Sequence, residues 1–152
     1  MAYQSIDDIK RRMERYCAYQ ERSHYQVEQK LYELGMIPEA VDAIVLHLLQ
    51  ENFLNEERFA RAYVRGKFYY KDWGKQKIIK GLKQHRIHTN LITKALQEID
   101  SGDYRQTIEK LITKKKHTIQ HPGTYAGKQK IARYLMQKGY AFSDFKDQLF
   151  DT

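Results

Sequence analysis

The five-residue sequence Gly-Lys-Gln-Lys-Ile occurs twice in this chain, once as Gly74 to Ile78 and again as Gly127 to Ile131. In both copies a leucine follows four residues later, at Leu82 and at Leu135. The spacing of apolar residues by four is helical, and the 53-residue offset between the copies indicates a duplicated helical unit. The repeat by itself therefore predicts a fold built from repeated helical units.

A fainter third copy precedes the other two. The segment from Ser23 to Leu31 lies 51 residues before the first copy, and it places Val27 opposite Ile78 and Ile131. Units of about 50 residues have small cores and depend on contacts with their neighbours. We therefore expect an all-α fold in which three tandem three-helix repeats form an elongated, curved array. The predicted units are residues 1–52, 53–101 and 102–152.

Helix start and stop signals recur three times in each unit, which predicts nine helices. Ser23 with Gln26 three residues later is a capping-box pattern, and Pro38 suits the first turn of a helix. Ser101 and Gly102 are predicted to close the sixth helix. Other predicted starts are at Ser5, Asn55, Gly74, Thr89, Asp103, Gly127 and Ser143.

Positive charge is concentrated in two parts of the chain. The formal net charge is +8, but residues 58–86 carry +9 and residues 105–138 carry +8, whereas residues 1–57 carry −5. Two basic blocks in equivalent places of a repeat predict a basic face for a polyanion. Rows of Lys and Arg bind phosphates without reading base sequence.

Within the first basic block, Arg58, Arg61 and Arg65 fall on one helical stripe and are predicted to point outward, away from an aromatic stripe that packs inward. The lysines after Gly74 and after Gly127 are predicted to flank the apolar edge of their helices. The candidate binding residues are Arg58, Arg61, Arg65, Lys67, Lys71, Lys75, Lys77, Lys80, Lys114, Lys115, Lys116, Lys128, Lys130 and Arg133.

Two interpretations of these residues stay open. Lysines on a helix commonly form a solvated surface with no ligand, and only their concentration in two blocks favours binding. The aromatic residues among them are able to stack on unpaired bases, but aromatic runs at a helix end more often pack in a core or between units. These aromatics are Phe68, Tyr69, Tyr70 and Trp73.

The segment from Leu54 to Ala60, followed by Arg61, Tyr63, Arg65 and then Gly74, resembles the RecX family of bacterial regulators of the RecA recombinase. The resemblance covers almost the whole chain. Arg22-Ser23 and Lys30-Leu31 support it in the first unit, as do the three three-helix repeats. Asn55, the pair Gln26-Val27 and Lys75 depart from the family pattern, but Asn still caps a helix and Gln keeps the capping box.

The resemblance implies that the protein binds the RecA filament formed on DNA, lies in its helical groove, and suppresses filament extension, ATP hydrolysis and strand exchange. It implies roles in homologous recombination, DNA repair and the SOS response. RecA, the RecA–DNA filament, and single- or double-stranded DNA bound without sequence preference are the expected partners, and a monomer is expected. The resemblance does not say whether each basic residue contacts DNA or RecA.

Other function classes have little support in the sequence. The pairs His85/His88 and His117/His121 have ligand-like spacing, but no cysteine or carboxylate cluster completes a metal site, so no metal is expected. The sequence has no P-loop, no Gly-rich dinucleotide fingerprint and no nucleophile elbow, so neither a cofactor nor enzymatic activity is expected. The N-terminus lacks a signal sequence and no apolar stretch is long enough to cross a membrane, which predicts a cytoplasmic protein. The lone Cys17 is expected to be buried. A DNA-binding module that acts without RecA, or a scaffold for another protein, remains an alternative.

Overall fold

A computed structural model describes residues 5–151 of the chain. Over this range the structure contains nine α-helices and no strand, so the all-α prediction is confirmed. The helices are α1 (Ile6–Tyr19), α2 (His24–Glu33), α3 (Pro38–Gln50), α4 (Glu56–Arg65), α5 (Lys75–Gln84), α6 (Thr89–Ala95), α7 (Ser101–Lys116), α8 (Tyr125–Gln137) and α9 (Phe142–Phe150). A π-helical turn (Gly66–Tyr70) continues α4, and a 3-10 turn (Leu96–Glu98) continues α6.

The local signals in the sequence act as expected at most helix starts. Ser5 and Ser23 each accept a hydrogen bond from a backbone N–H three residues on, Asn55 caps α4 in the same way, and Pro38 occupies the first turn of α3. Each cap satisfies a backbone donor that the helix leaves without an internal partner. The three helices of each repeat are therefore α1–α3, α4–α6 and α7–α9.

The junction between the second and third repeats differs from the prediction. Ser101 and Gly102 do not close α6 but form the first turn of α7, which the sequence placed at Asp103. The physical reason is the side chain of Asp100, which accepts a hydrogen bond from the backbone N–H of Asp103 at 3.0 Å and so caps α7 at a start two residues earlier. The helix α7 thus begins within the range assigned to the second unit.

The apolar core is divided into two clusters. One is formed by α1–α3 together with Leu54, and the other is shared by the second and third repeats. The residues that define the sequence repeat lie at the centre of these clusters: Val27, Leu31, Ile78, Leu82, Ile131 and Leu135 are all 0% exposed. The second and third repeats therefore bury their apolar faces together, as expected of small repeated units.

The junction between the first and second repeats is polar. The carboxylate of Glu21 accepts a hydrogen bond from Arg58 Nε at 2.6 Å, and Ser23 Oγ lies 2.9 Å from Nδ1 of His85. The ring of His24 lies 3.3 Å from the carboxylate of Glu56. These hydrogen-bonded and ionic contacts join the separate first cluster to the rest of the protein.

The junction between the second and third repeats is a close contact of two backbones. The N–H of Gly74 donates to the carbonyl of Lys138 and the N–H of Gln76 donates to that of Gly139, both at 2.8 Å. A Cβ atom on Gly74 would lie 2.4 Å from the carbonyl carbon of Gly139. The glycine that opens the first copy of the repeat is therefore required by the packing of the third unit against the second.

Candidate functional site

The three arginines of α4 form ion pairs with other parts of the protein. Arg61 lies 3.3 Å from Glu57 and from Glu98, and Arg65 lies 3.1 Å from the same Glu98. The carboxylate of Glu98 comes from the 3-10 turn after α6, which packs against α4. These contacts hold two of the arginines along the second unit.

Arg58 connects two units. Besides its bond to Glu21, it donates to the side-chain oxygen and the backbone carbonyl of Asn52, at 3.2 and 3.0 Å. The sequence places the three arginines on an outward stripe; in the structure the side chains of Arg58, Arg61 and Arg65 are 37%, 33% and 50% exposed, and each pairs with a carboxylate. A role of these arginines in binding stays a prediction.

Four of the predicted lysines, all in the second unit, line two adjoining cavities that together form a groove. One cavity of about 490 Å³ lies between the first and second units, and another of about 440 Å³ lies between the second and third. The side chain of Tyr63 lines both cavities, so they adjoin. We call this surface the lysine–aromatic groove, defined by Tyr63, Lys67, Tyr70, Lys71, Trp73, Lys77 and Lys80.

Two lysines in the groove lie over an aromatic ring. The Nζ atoms of Lys67 and Lys77 are 4.7 and 4.2 Å from the centre of the Trp73 ring, and Lys67 is also 5.4 Å from that of Tyr63. Cations in this geometry are attracted by the electron-rich ring face, which orders the long side chains. The groove thus holds positive charge in fixed places, a property suited to a chain of phosphates.

The predicted aromatic run is divided by the fold. Phe68 is 1% exposed and belongs to the core, and the hydroxyl of Tyr69 donates to Asp103 at 2.7 Å, between the second and third units. Tyr70 is 86% exposed at the edge of the groove, and Trp73 is half-buried beneath the two lysines. Packing explains Phe68 and Tyr69, whereas the ring of Tyr70 is accessible to solvent.

The second basic block does not line this groove. Lys115 lies over the ring of Tyr134 at 4.8 Å. Lys75, from the first block, is also outside the groove and lies over the ring of Tyr104. Arg133 lines a different cavity, between α8 and α9. Lys128 is half-buried, and Lys114, Lys116 and Lys130 are exposed. The structure therefore brings together only part of the predicted set.

Burial shifts the pKa of His85, which lines the first cavity, and of two tyrosines in the core. Desolvation lowers the pKa of His85 below the ordinary value of 6.5, and the charge of Lys67 lowers it further. Because Ser23 Oγ accepts the N–H of Gln26, its own hydrogen is available for Nδ1 of a neutral His85. Burial likewise raises the pKa of the Tyr104 and Tyr140 hydroxyls, which donate to Asp144 and to the carbonyl of Asp72.

The sequence alone missed several residues of this region. Glu21 and His85 contribute contacts across the first and second units, and Glu98 contributes contacts within the second, although each is separated from its partner by more than 30 residues. Tyr63 was assigned to packing but also lines the groove. The only available signal was the position of Glu21 beside the Ser23 capping box.

Among residues 5–151, no three His, Cys, Asp or Glu side chains come together as metal ligands. In the same range, no helix is both long enough and apolar enough to cross a lipid bilayer. Cys17 is 5% exposed, as expected from the sequence, and burial raises the pKa of its thiol to about 11.

Comparison with known protein families gives two matches. Residues 55–96 match the family described as RecX, second three-helix domain, and residues 103–147 match RecX, third three-helix domain. Together the two matches span more than half of the 152 residues.

Curated relatives agree with these matches. The chain is 28% identical over 125 residues to "Regulatory protein RecX" of Lactobacillus johnsonii, which covers 82% of this chain and 46% of the relative. It is 27% identical over 123 residues to the protein of that name from Clostridium perfringens, covering 80% and 57%. The chain spans about half the length of the curated relatives it matches.

Two solved structures share the fold. A crystal structure of RecX from Lactobacillus salivarius has a TM-score of 0.84 and 23% identity, covering 96% of this chain and 94% of that one. A crystal structure described as regulatory protein RecX has a TM-score of 0.83 and 24% identity, covering 93% and 70%. These similarities extend over the three-helix repeats and confirm the repeat fold.

Proposed function

Because the chain belongs to the RecX family, we propose that it regulates the RecA recombinase, as an inhibitor that binds the RecA filament on DNA. In this proposal the protein lies in the helical groove of the filament. It suppresses filament extension, ATP hydrolysis and strand exchange.

The observation that carries the proposal is the lysine–aromatic groove. Lys67, Lys71, Lys77 and Lys80 all come from the second unit and line the two cavities that it forms with the first and the third. An exposed aromatic ring, Tyr70, lies at the edge of this groove. Positive grooves with accessible rings are typical of proteins that bind single-stranded nucleic acid without sequence preference. We propose that this groove contacts the DNA, or the acidic groups of RecA beside it.

A pair of charge reversals tests the groove. Lys71→Glu with Lys80→Glu changes two exposed side chains, one in each cavity. We expect the affinity for single-stranded DNA to fall about tenfold and the slope of log affinity against log salt to decrease by about 1.4, because each phosphate contact contributes about 0.7. The concentration needed to halve the DNA-dependent ATPase of RecA should rise by a similar factor.

The matched control carries the same change of charge elsewhere. Arg12→Glu with Lys94→Glu alters two exposed residues outside the groove and should leave DNA binding and ATPase inhibition unchanged. If both double variants inhibited RecA as well as the wild type, the groove would not be the binding surface. If the wild type bound DNA but left the ATPase and strand exchange unaffected in excess, a DNA-binding module acting without RecA would be the correct description.

A further inference from the structure

An apolar groove lies at the end of the third unit, between α8 and α9, with a volume of about 640 Å³. Its apolar side chains are accessible to solvent: Tyr125 is 71% exposed, Met136 54% and Phe142 45%. We call this surface the C-terminal groove and define it by Tyr125, Arg133, Met136, Phe142, Lys146 and Phe150.

The C-terminal groove combines neighbouring aromatic rings with two positively charged side chains and one carboxylate, that of Asp151. The ring of Phe150 lies 5.9 Å from that of Phe142 and 6.4 Å from that of Tyr125. Arg133 and Lys146 flank these rings, and neither forms an ion pair or a hydrogen bond with another residue in the range 5–151. An exposed apolar surface with unpaired cations is suited to a partner that presents apolar and acidic side chains together.

Comparison of equivalent positions in the three units shows whether the three-helix fold itself requires the apolar residues of the C-terminal groove. The third helices of the units begin at Pro38, Thr89 and Phe142, so the sequence offsets of 51 and 53 identify equivalent positions. In the middle unit the positions of Met136, Phe142 and Phe150 are occupied by Lys83, Thr89 and Gln97, all exposed and hydrophilic. The three-helix fold therefore does not require apolar residues at these positions.

The first unit presents the opposite charge at the equivalent place. Asp42 occupies the position of Lys146, and Leu46, which is 54% exposed, occupies that of Phe150. On the same face of α3 lie Glu39 and Leu49, because the spacing of these four residues by three and four is that of one helical stripe. Leu49 is 39% exposed, and neither acid has an ion-pair partner among the described residues. We call this stripe the α3 face.

We propose that the C-terminal groove binds the α3 face of a second copy of this chain, so that copies associate head to tail. Leu46 and Leu49 would enter the groove among its aromatic rings, and Glu39 and Asp42 would approach Arg133 and Lys146. Two C-terminal grooves facing each other would bring like charges together, as would two α3 faces. Only the pairing of unlike faces makes the charges complementary, which disfavours a dimer formed by two like faces.

A single head-to-tail contact leaves one free face at each end, so further copies add until the rotation between copies closes a ring. The expected product is a series of oligomers that grows with protein concentration, and the monomer expected from the sequence is then the state at low concentration. The contact requires neither DNA nor RecA. It is therefore testable independently of the function proposed above.

Sedimentation velocity over a range of concentrations tests the proposal with two variants, each of which blocks one face. Leu46→Lys places a cation on the α3 face, and Phe142→Asp places an acid in the C-terminal groove. Both residues are exposed, so both variants should fold, which circular dichroism checks. Each variant alone should remain a monomer at concentrations where the wild type self-associates. Their equimolar mixture should form dimers and nothing larger, because one intact face of each kind remains.

A charge exchange and a matched control complete the test. Asp42→Lys and Lys146→Asp should each weaken self-association about fivefold or more, and the double variant should recover it. Gln97→Asp, at the equivalent exposed position of the middle unit, should have no effect. A wild type that remains monomeric at the highest concentration reached overturns the proposal. So does a Leu46→Lys variant that still dimerises alone, or a Phe142→Asp variant that changes only DNA binding.

Discussion

Substitution of Gly74 by alanine should destabilise the protein strongly, although it adds one methyl group at the start of a helix. The added Cβ would lie 2.4 Å from the carbonyl carbon of Gly139 and 2.5 Å from the backbone nitrogen of Tyr140. Backbone atoms cannot rotate away as a side chain does, so α5 and the turn after α8 must separate. The separation weakens two backbone hydrogen bonds, from Gly74 to Lys138 and from Gln76 to Gly139.

The size of the effect follows from these contacts. Two weakened hydrogen bonds cost about 0.5–1.5 kcal/mol each, and overpacking of a well-packed site costs about 1–3 kcal/mol. The smaller conformational entropy of an unfolded chain with alanine offsets about 0.4–1 kcal/mol. We therefore expect the free energy of unfolding to decrease by about 2–5 kcal/mol for Gly74→Ala, a large part of the stability of a small protein.

Urea denaturation followed by far-ultraviolet circular dichroism measures this change. Gly66→Ala is the matched control, because Gly66 is helical and a Cβ there would have no neighbour within 4 Å. That variant should be neutral or more stable by up to about 1 kcal/mol. If Gly74→Ala unfolded at the same urea concentration as Gly66→Ala, the close contact of the two backbones would not be part of the native structure.

Three further predictions concern the first unit and its junction with the second. Burial lowers the pKa of His85, so the unfolded chain binds its proton more readily, and stability should fall as the pH decreases below about 6.5. His85→Gln should flatten that decrease in pH-dependent urea titrations, whereas His117→Gln, at an exposed position, should not. The thiol of Cys17, with a pKa of about 11, should resist iodoacetamide at neutral pH in the native protein and react in urea; fast native labelling would contradict its burial. A double-mutant cycle with Glu21→Gln and Arg58→Ala should give a coupling of about 1 kcal/mol across the junction, and additive effects would mean that the ion pair contributes nothing.

Much of the fold could be predicted from the sequence because the relevant interactions are local. Ser5, Ser23 and Asn55 cap helices with backbone groups three residues away, so a short window of sequence contains the whole interaction. The helical spacing of Ile78 and Leu82 likewise identifies a buried stripe, and both residues are fully buried. Local signals failed at Ser101, where an aspartate cap competed with a serine–glycine pair that resembles a helix end.

The candidate site was only partly predictable, because its contacts join residues from different units. The sequence places Arg58 on an exposed stripe, but Glu21 approaches it from the first unit, 37 residues away. Lys67 and Lys77 are ten residues apart, and only the turn between their helices brings both over Trp73. Charge counting identified the basic block but not which of its members share a groove.

The sequence by itself determined that this protein is a series of three helical units, which residues form their cores, and where positive charge is concentrated. Helical periodicity, capping and composition are properties of neighbouring residues, so they can be recognised without knowledge of the packing. The tertiary structure decided how the units meet, through ion pairs at one junction and two apposed glycines, Gly74 and Gly139, at the other. That packing in turn selected which charged and aromatic side chains remain exposed, because exposure depends on atoms that are distant in the sequence.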